Sequence, residues 1–101
     1  MSNFLNPVTI IGGGTDTIAV GQNALSTTAE QVVAANNTRR FLEITNDDAA
    51  IKVYIGGTSG VTTSTGHVVK PGAAIVFEGY TGPIFMIAAS GTPTVTYCEI
   101  G

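Results

Sequence analysis

The chain has 101 residues, and only 11% of them are Asp, Glu, Lys or Arg, against about 25% in an average soluble protein. Its length allows one domain and one hydrophobic core. The net charge of −3, with four basic residues in all, excludes the dense cationic surface that binds nucleic acid or anionic membranes. We therefore expect neither nucleic acid nor a membrane as a partner.

The side chains that carry out chemistry are scarce. Cys98 is the single cysteine and His67 the single histidine, so an internal disulfide is excluded and a metal cluster within one chain lacks ligands. No nucleophile is accompanied by a base, and no pair of carboxylates has a spacing typical of acid and base catalysis. We expect a protein without enzymatic activity, catalytic residues, metal or cofactor, in which Cys98 is a half-buried thiol and His67 a surface or interface side chain.

The first 14 residues predict an arm that is separate from the body. Asn6-Pro7 favours a turn, Val8–Ile11 can pair as a short edge strand, and Gly12–Gly14 form a flexible hinge. The apolar run is much shorter than the core of a signal peptide, so we expect synthesis in the host cytoplasm. We expect the arm to add a strand to a neighbouring molecule, with partner contacts at Phe4, Leu5, Val8 and Ile10.

The rest of the chain, residues 15–101, predicts one domain built of short strands. Segment 24–35 also has some helical propensity, but its Thr and Val pairs favour a strand. Turn residues separate the segments, with Asn46-Asp47-Asp48 predicted as a turn and Lys70-Pro71-Gly72-Ala73 as a type II turn. The predicted strands are Thr15–Val20, Ser26–Ala35, Arg39–Thr45, Ala50–Ile55, Val61–Thr65, His67–Lys70, a strand that follows Ala73, Ile84–Ala89 and Thr94–Ile100.

Strands at this spacing, about 8–12 residues apart, predict an antiparallel β-sandwich of the jelly-roll or immunoglobulin type. Alternation places Leu42, Ile44, Val53 and Ile55 in its core. Four large side chains fall on the opposite faces of the predicted strands. Because charge is so scarce, we expect these side chains to contact other subunits or a larger assembly: Phe41, Tyr54, Phe85 and Ile87.

Two further features have more than one interpretation. The basic pair Arg39-Arg40 is expected to open a strand and to pair with Glu43, Glu30 or a neighbouring subunit. Tyr54, Tyr80 and Phe85 are the aromatic side chains that could form a platform for stacking sugar rings. Such a platform is typical of a carbohydrate-binding or receptor-binding module.

The stretch from Arg39 to Gly101 resembles small virion proteins of tailed bacteriophages. The resemblance lies in alternating strands that end in an asparagine turn, a glycine and a Pro-Gly turn. It is carried by Arg40–Asn46, Ile51–Gly56, Val69–Gly72, Ile84–Ile87 and Val95–Ile100.

This resemblance implies a compact β-sandwich that decorates the exterior of a capsid or forms part of a head fibre or tail attachment. It further implies a homo-oligomer, with a trimer favoured, whose partners are the major capsid protein or other virion proteins. We therefore expect a capsid decoration or cement protein that stabilises a phage head by bridging coat subunits. The alternative is a carbohydrate- or receptor-binding module of a phage fibre or tail.

Overall fold

The structure is a computed structural model that describes residues 17–101. This part of the chain contains strands joined by turns and no helix. The predicted arm and hinge, residues 1–14, lie outside the described residues. The strands are β1 (Ile18–Ala24), β2 (Glu30–Val33), β3 (Phe41–Asn46), β4 (Val53–Gly56), β5 (His67–Val69), β6 (Ala74–Glu78), β7 (Ile84–Ala88) and β8 (Thr94–Ile100).

The strands form two antiparallel sheets of four, which confirms the predicted sandwich. Sheet 1 has the order β1-β8-β3-β6 and sheet 2 the order β2-β7-β4-β5. The first strand pairs with the last, the second with the seventh, the third with the sixth and the fourth with the fifth. This nested pairing is the jelly-roll arrangement, in which one long hairpin rolls up into two sheets. The structure thus selects the jelly roll over the immunoglobulin order.

The core lies between the sheets because alternate residues of each strand point inward. Leu42 and Ile44 of β3 are fully buried, as are Val53 of β4 and Met86 of β7, and Ile55 is nearly so. The inward positions predicted for β3 and β4 are therefore confirmed. Strand β7 is central in sheet 2, which agrees with its apolar residues on both faces.

Asn46 links the two sheets through a buried amide. It was expected in a solvated turn, but it is the last residue of β3 and is completely buried. Its Nδ2 donates to the carbonyl oxygens of Ile51 at 2.9 Å and Val69 at 3.0 Å, and its Oδ1 accepts from the backbone N–H of Asp48. The local sequence favours a turn, but these bonds satisfy the amide in the interior, where an unpaired polar group is costly.

Arg39 forms a second buried polar link, and its partner is Glu99 rather than the expected Glu43 or Glu30. The residue is 2% exposed, and its Nε donates to Oε1 of Glu99 at 2.7 Å. Its other nitrogens donate to the carbonyl oxygens of Ala34, Tyr80 and Gly82. Neither Glu43 nor Glu30 pairs with it, because Glu43 lies on the outer side of β3, whereas Glu99 of β8 faces inward.

One predicted strand is a loop in the structure, and another is shorter than predicted. Residues 61–65 form a loop because the hydroxyl groups of Thr62 and Thr65 accept backbone N–H bonds that a strand would give to its neighbour. Segment 26–35 contributes only β2, and at its start the N–H of Thr28 donates to Oγ of Ser26. The type II turn before β6 is confirmed, since Gly72 has φ +76° and Ala73 N–H donates to the Lys70 carbonyl.

Candidate interaction surfaces

The outer face of sheet 1 is formed by three rows of side chains that cross its four strands. The register gives the row Ile18, Ile100, Phe41 and Glu78, the row Val20, Cys98, Glu43 and Val76, and the row Gln22, Thr96, Thr45 and Ala74. We call this set the sheet-1 outer face. Its charged members are Glu43 and Glu78, and both belong to the strands farther from β1.

The three most exposed of the large apolar side chains of the described chain are on this face. Val20 is 71% exposed, Ile18 66% and Val76 48%. They lie at the two edges of sheet 1, on β1 and β6. Ordinary monomers expose single apolar side chains, but here they continue into the half-buried Phe41, Cys98 and Ile100. The apolar positions on β1, β8 and β3 are thus neighbours, whereas Glu43 separates Cys98 from Val76.

Strand β1 has its large residues outside because its inner side has little room. The inner position Gly21 is covered by the ring of Tyr97 on the adjacent strand, and a Cβ atom at Gly21 would lie 2.6 Å from Cε2 of that ring. Tyr97 in turn packs against the core. The inner side of β1 thus takes small residues such as Ala19, whereas its outer side has Ile18 and Val20.

A shallow cavity of about 320 Å³ lies at the middle of the sheet-1 outer face. Its rim includes Val20, Gln22, Glu43 and Thr45, and Cys98 is among its lining residues. Cys98 is a free, half-buried thiol, as predicted. The lining of the cavity is mixed, with the apolar side chain of Val20, the polar side chains of Gln22, Thr45 and Thr96 and the one carboxylate of Glu43.

The outer face of sheet 2 is apolar but is partly covered by the chain itself. Phe85, Ile87, Tyr54 and Val68 lie on it, and each is half-buried. The loop between β4 and β5, residues 57–66, folds back over β4. There Val61 is 7% exposed and occupies the space above Gly56, where a Cβ atom would lie 2.8 Å from the Val61 side chain.

The predicted contact residues are divided between the two faces. Phe41 lies on the sheet-1 outer face, and Tyr54, Phe85 and Ile87 lie on the outer face of sheet 2. All four point away from the core, as expected. The remaining predicted contacts are outside the described residues: Phe4, Leu5, Val8 and Ile10.

The sequence analysis missed the most exposed residues of the surface, which are Ile18, Val20 and Val76. A signal for two of them was present in the sequence. In Ile18-Ala19-Val20-Gly21 one side of the strand has large residues and the other has only small ones, so the large side need not face the core. Val76 had a weaker signal, because it lies between Ile75 and Phe77, and alternation places it on the opposite side of the strand from those two side chains.

The three rings of the suggested sugar-binding platform do not lie together. Tyr54 and Phe85 are on the outer face of sheet 2, whereas Tyr80 packs against Phe77 with ring centroids 5.8 Å apart. Tyr80 and Phe77 line a cavity of about 440 Å³ at one end of the sandwich, with His67 and Ile84 also in its wall. The rings therefore belong to two surfaces.

Residues 17–101 contain no group of three His, Cys, Asp or Glu side chains that could hold a metal ion. The pKa of Asp48 is lowered because its carboxylate accepts backbone N–H bonds from Ala50 and Ile51. This carboxylate stabilises a turn. Across the same residues, no helix long and apolar enough to span a membrane is found.

Comparison with known proteins finds a similar solved structure. No family model and no curated protein sequence matches the chain. A solved structure described as "Bacillus endospore appendages form a novel family of disulfide-linked pili" is similar to it, with 15% identity and a TM-score of 0.47. The similarity covers 94% of this chain and 95% of that one.

Proposed function

We propose that this chain is a non-enzymatic structural subunit of a phage virion, a decoration or cement protein on the capsid exterior that bridges coat subunits. The exposed apolar side chains on the sheet-1 outer face are the observation that carries this proposal. The resemblance of residues 39–101 to small virion proteins supports the virion as the location.

The physical argument rests on the area that this face can bury. Burying apolar surface contributes roughly 25 cal/mol for each Å² removed from water, and interfaces of ordinary size bury about 1,200–2,000 Å² in total. The outer-face residues of β1 and of its neighbour β8 are uncharged. A protein surface can therefore cover them without desolvating an unpaired charge. Glu78 lies at the end of β6 and can remain at a hydrated rim. Glu43 lies between Cys98 and Val76, so the covering surface must offer it a polar partner.

The location is tested by asking where the protein is found on particles. An antibody against the chain would be used for gold labelling of virions purified from the culture that produces the protein. Labelling distributed over the heads is expected. Labelling confined to tail tips would favour the receptor-binding alternative, and labelling of filaments or of no particle would reject a capsid role.

The contact face is tested with reassembled particles. Capsids stripped of the protein would be incubated with the original chain, with Ile18→Lys and with Thr62→Lys, a control that places the same charge on the exposed loop over sheet 2. We expect Ile18→Lys to lose binding and Thr62→Lys to keep it. Loss of binding by Thr62→Lys alone would assign the contact to sheet 2 instead.

A further inference from the structure

The described chain has four sheet edges, and three of them are protected against pairing with another strand. Strand β5 has only three residues. Strand β2 has four, and its register shifts between Gln31 and Val33. Strand β6 ends in Glu78, which is followed by Gly79 with φ +83°. Short strands, bulges and charges are the devices by which proteins block edge pairing.

Strand β1 has none of these devices. It has seven residues, Ile18–Ala24, without charge or proline, and it pairs with β8 in an unbroken register. A long, regular and uncharged edge is a template for a further strand. Among the described residues no strand pairs with its other side.

The register shows which backbone groups are available. Thr17 and Gly101 exchange both of their backbone hydrogen bonds, so in an antiparallel ladder Ala19, Gly21 and Asn23 also bond to β8. The N–H and C=O groups of the intervening residues therefore point to the free edge. These residues are Ile18, Val20, Gln22 and Ala24, which are also the exposed residues of β1.

We propose that β1 pairs antiparallel with β1 of a second copy of this chain, and that the two sheets 1 then form one continuous sheet. The register that uses all the free groups places Ile18 of each copy opposite Ala24 of the other, and Val20 opposite Gln22. The second copy is then one partner of the structural subunit proposed above, so this inference rests on the proposed function.

Charge and size favour a second copy as the occupant. The edge is neutral, so self-pairing places no like charges opposite each other, although each chain has a net charge of −3. Each large side chain lies beside a smaller or flexible one on the neighbouring strand, so the paired strands approach without a clash. A two-fold pair also uses the same patch on both copies, which closes the assembly at two.

The test measures oligomeric state by sedimentation velocity over a range of protein concentrations. The full chain would be compared with Val20→Lys and with Val76→Lys, a matched control that places the same charge at the opposite edge of the same face. We expect the full chain and Val76→Lys to dimerise, and Val20→Lys to weaken dimerisation by at least a hundredfold. Circular dichroism would check that each variant is folded.

Several results would overturn the pairing. The first two are a full chain that sediments as a trimer and one that stays a monomer at every concentration. The third is an equal loss of association in Val20→Lys and Val76→Lys, because that result would indicate face-to-face packing. A variant lacking residues 1–14 tests one other occupant. If that variant dimerises while the full chain is monomeric, the chain's own first residues cover β1. Virion labelling combined with a monomer would reject the pairing and leave the proposed function standing.

Hydrogen exchange gives a readout that distinguishes edge pairing from other contacts. The amides of Ile18, Val20, Gln22 and Ala24 should become protected as concentration rises. Those of Ala19, Gly21 and Asn23 should be protected throughout, because they already bond to β8. A dimer in which the first set stays unprotected would contradict the proposal.

Discussion

The outer faces of both sheets contain large apolar side chains, but only one of the two faces is partly covered by the chain itself. On sheet 2, loop 57–66 covers β4 with the buried Val61, and its large side chains are half-buried. On sheet 1, no loop among the described residues covers Ile18, Val20 or Val76, which remain exposed. The scarcity of charged residues therefore has two explanations in this chain. One face is covered within the chain, and we infer that the other is covered by another protein.

The largest effect on stability is expected from removing the buried ion pair between Arg39 and Glu99, on which the packing of both sheets depends. Arg39→Ala should destabilise the fold by about 3–5 kcal/mol, because it leaves a largely buried carboxylate without its partner. The same change leaves three backbone carbonyls without a donor. Denaturant unfolding followed by two probes, one on each sheet, would measure the loss. Lys52→Ala, at an exposed position, is the control.

Both probes should report one transition, since the two sheets share a single core. An unchanged midpoint for Arg39→Ala would show that the ion pair contributes nothing to stability. A loss confined to one sheet would show that the sheets unfold separately.

The covered face can be tested through the residue that covers it. Val61→Ala should lower the free energy of unfolding by about 1–2 kcal/mol, because buried methyl groups are lost above Gly56. Val76→Ala, a matched change on the sheet-1 outer face, should alter it by less than about 0.5 kcal/mol in the isolated chain. Thermal and urea unfolding would measure both. Equal effects would remove the distinction between the two faces.

The smallest effect is expected at the turn after β3. The pKa of Asp48 is lowered in the folded chain, so its contribution to stability is present above the unfolded pKa of about 3.9. The contribution is lost as the pH falls through the lower folded value. Asp48→Asn should therefore reduce stability slightly at neutral pH and flatten its decline in acid. Unfolding midpoints between neutral pH and acid would show this, and parallel curves for the two proteins would contradict it.

The sequence was sufficient to predict the sandwich and most of its core, because β3, β4 and β7 alternate clearly. It could not predict Arg39 with Glu99 or Asn46 with Val69, since both pairs join residues that are distant in the chain. The first pair meets where β3 lies beside β8, and the second only when the sheets stack. A strand is predicted for residues 61–65 because Thr is common in strands. In the structure the hydroxyl groups of Thr62 and Thr65 instead bond to the backbone of a loop.

The candidate surface was predicted in part for a similar reason. Phe41, Tyr54, Phe85 and Ile87 were placed correctly on the outer faces by alternation alone. The sequence does not predict which outer face stays exposed, because that depends on the path of loop 57–66 and on the position of β1 at a sheet edge. Both are properties of the topology rather than of local sequence.

The most direct test of the central claim compares hydrogen exchange of the chain in its native assembly with that of the dilute, isolated chain. We expect protection on assembly to increase at the sheet-1 outer face, in β1 and β6, while loop 57–66 stays the same. An increase confined to loop 57–66 and the outer face of sheet 2, with β1 and β6 unchanged, would contradict the account.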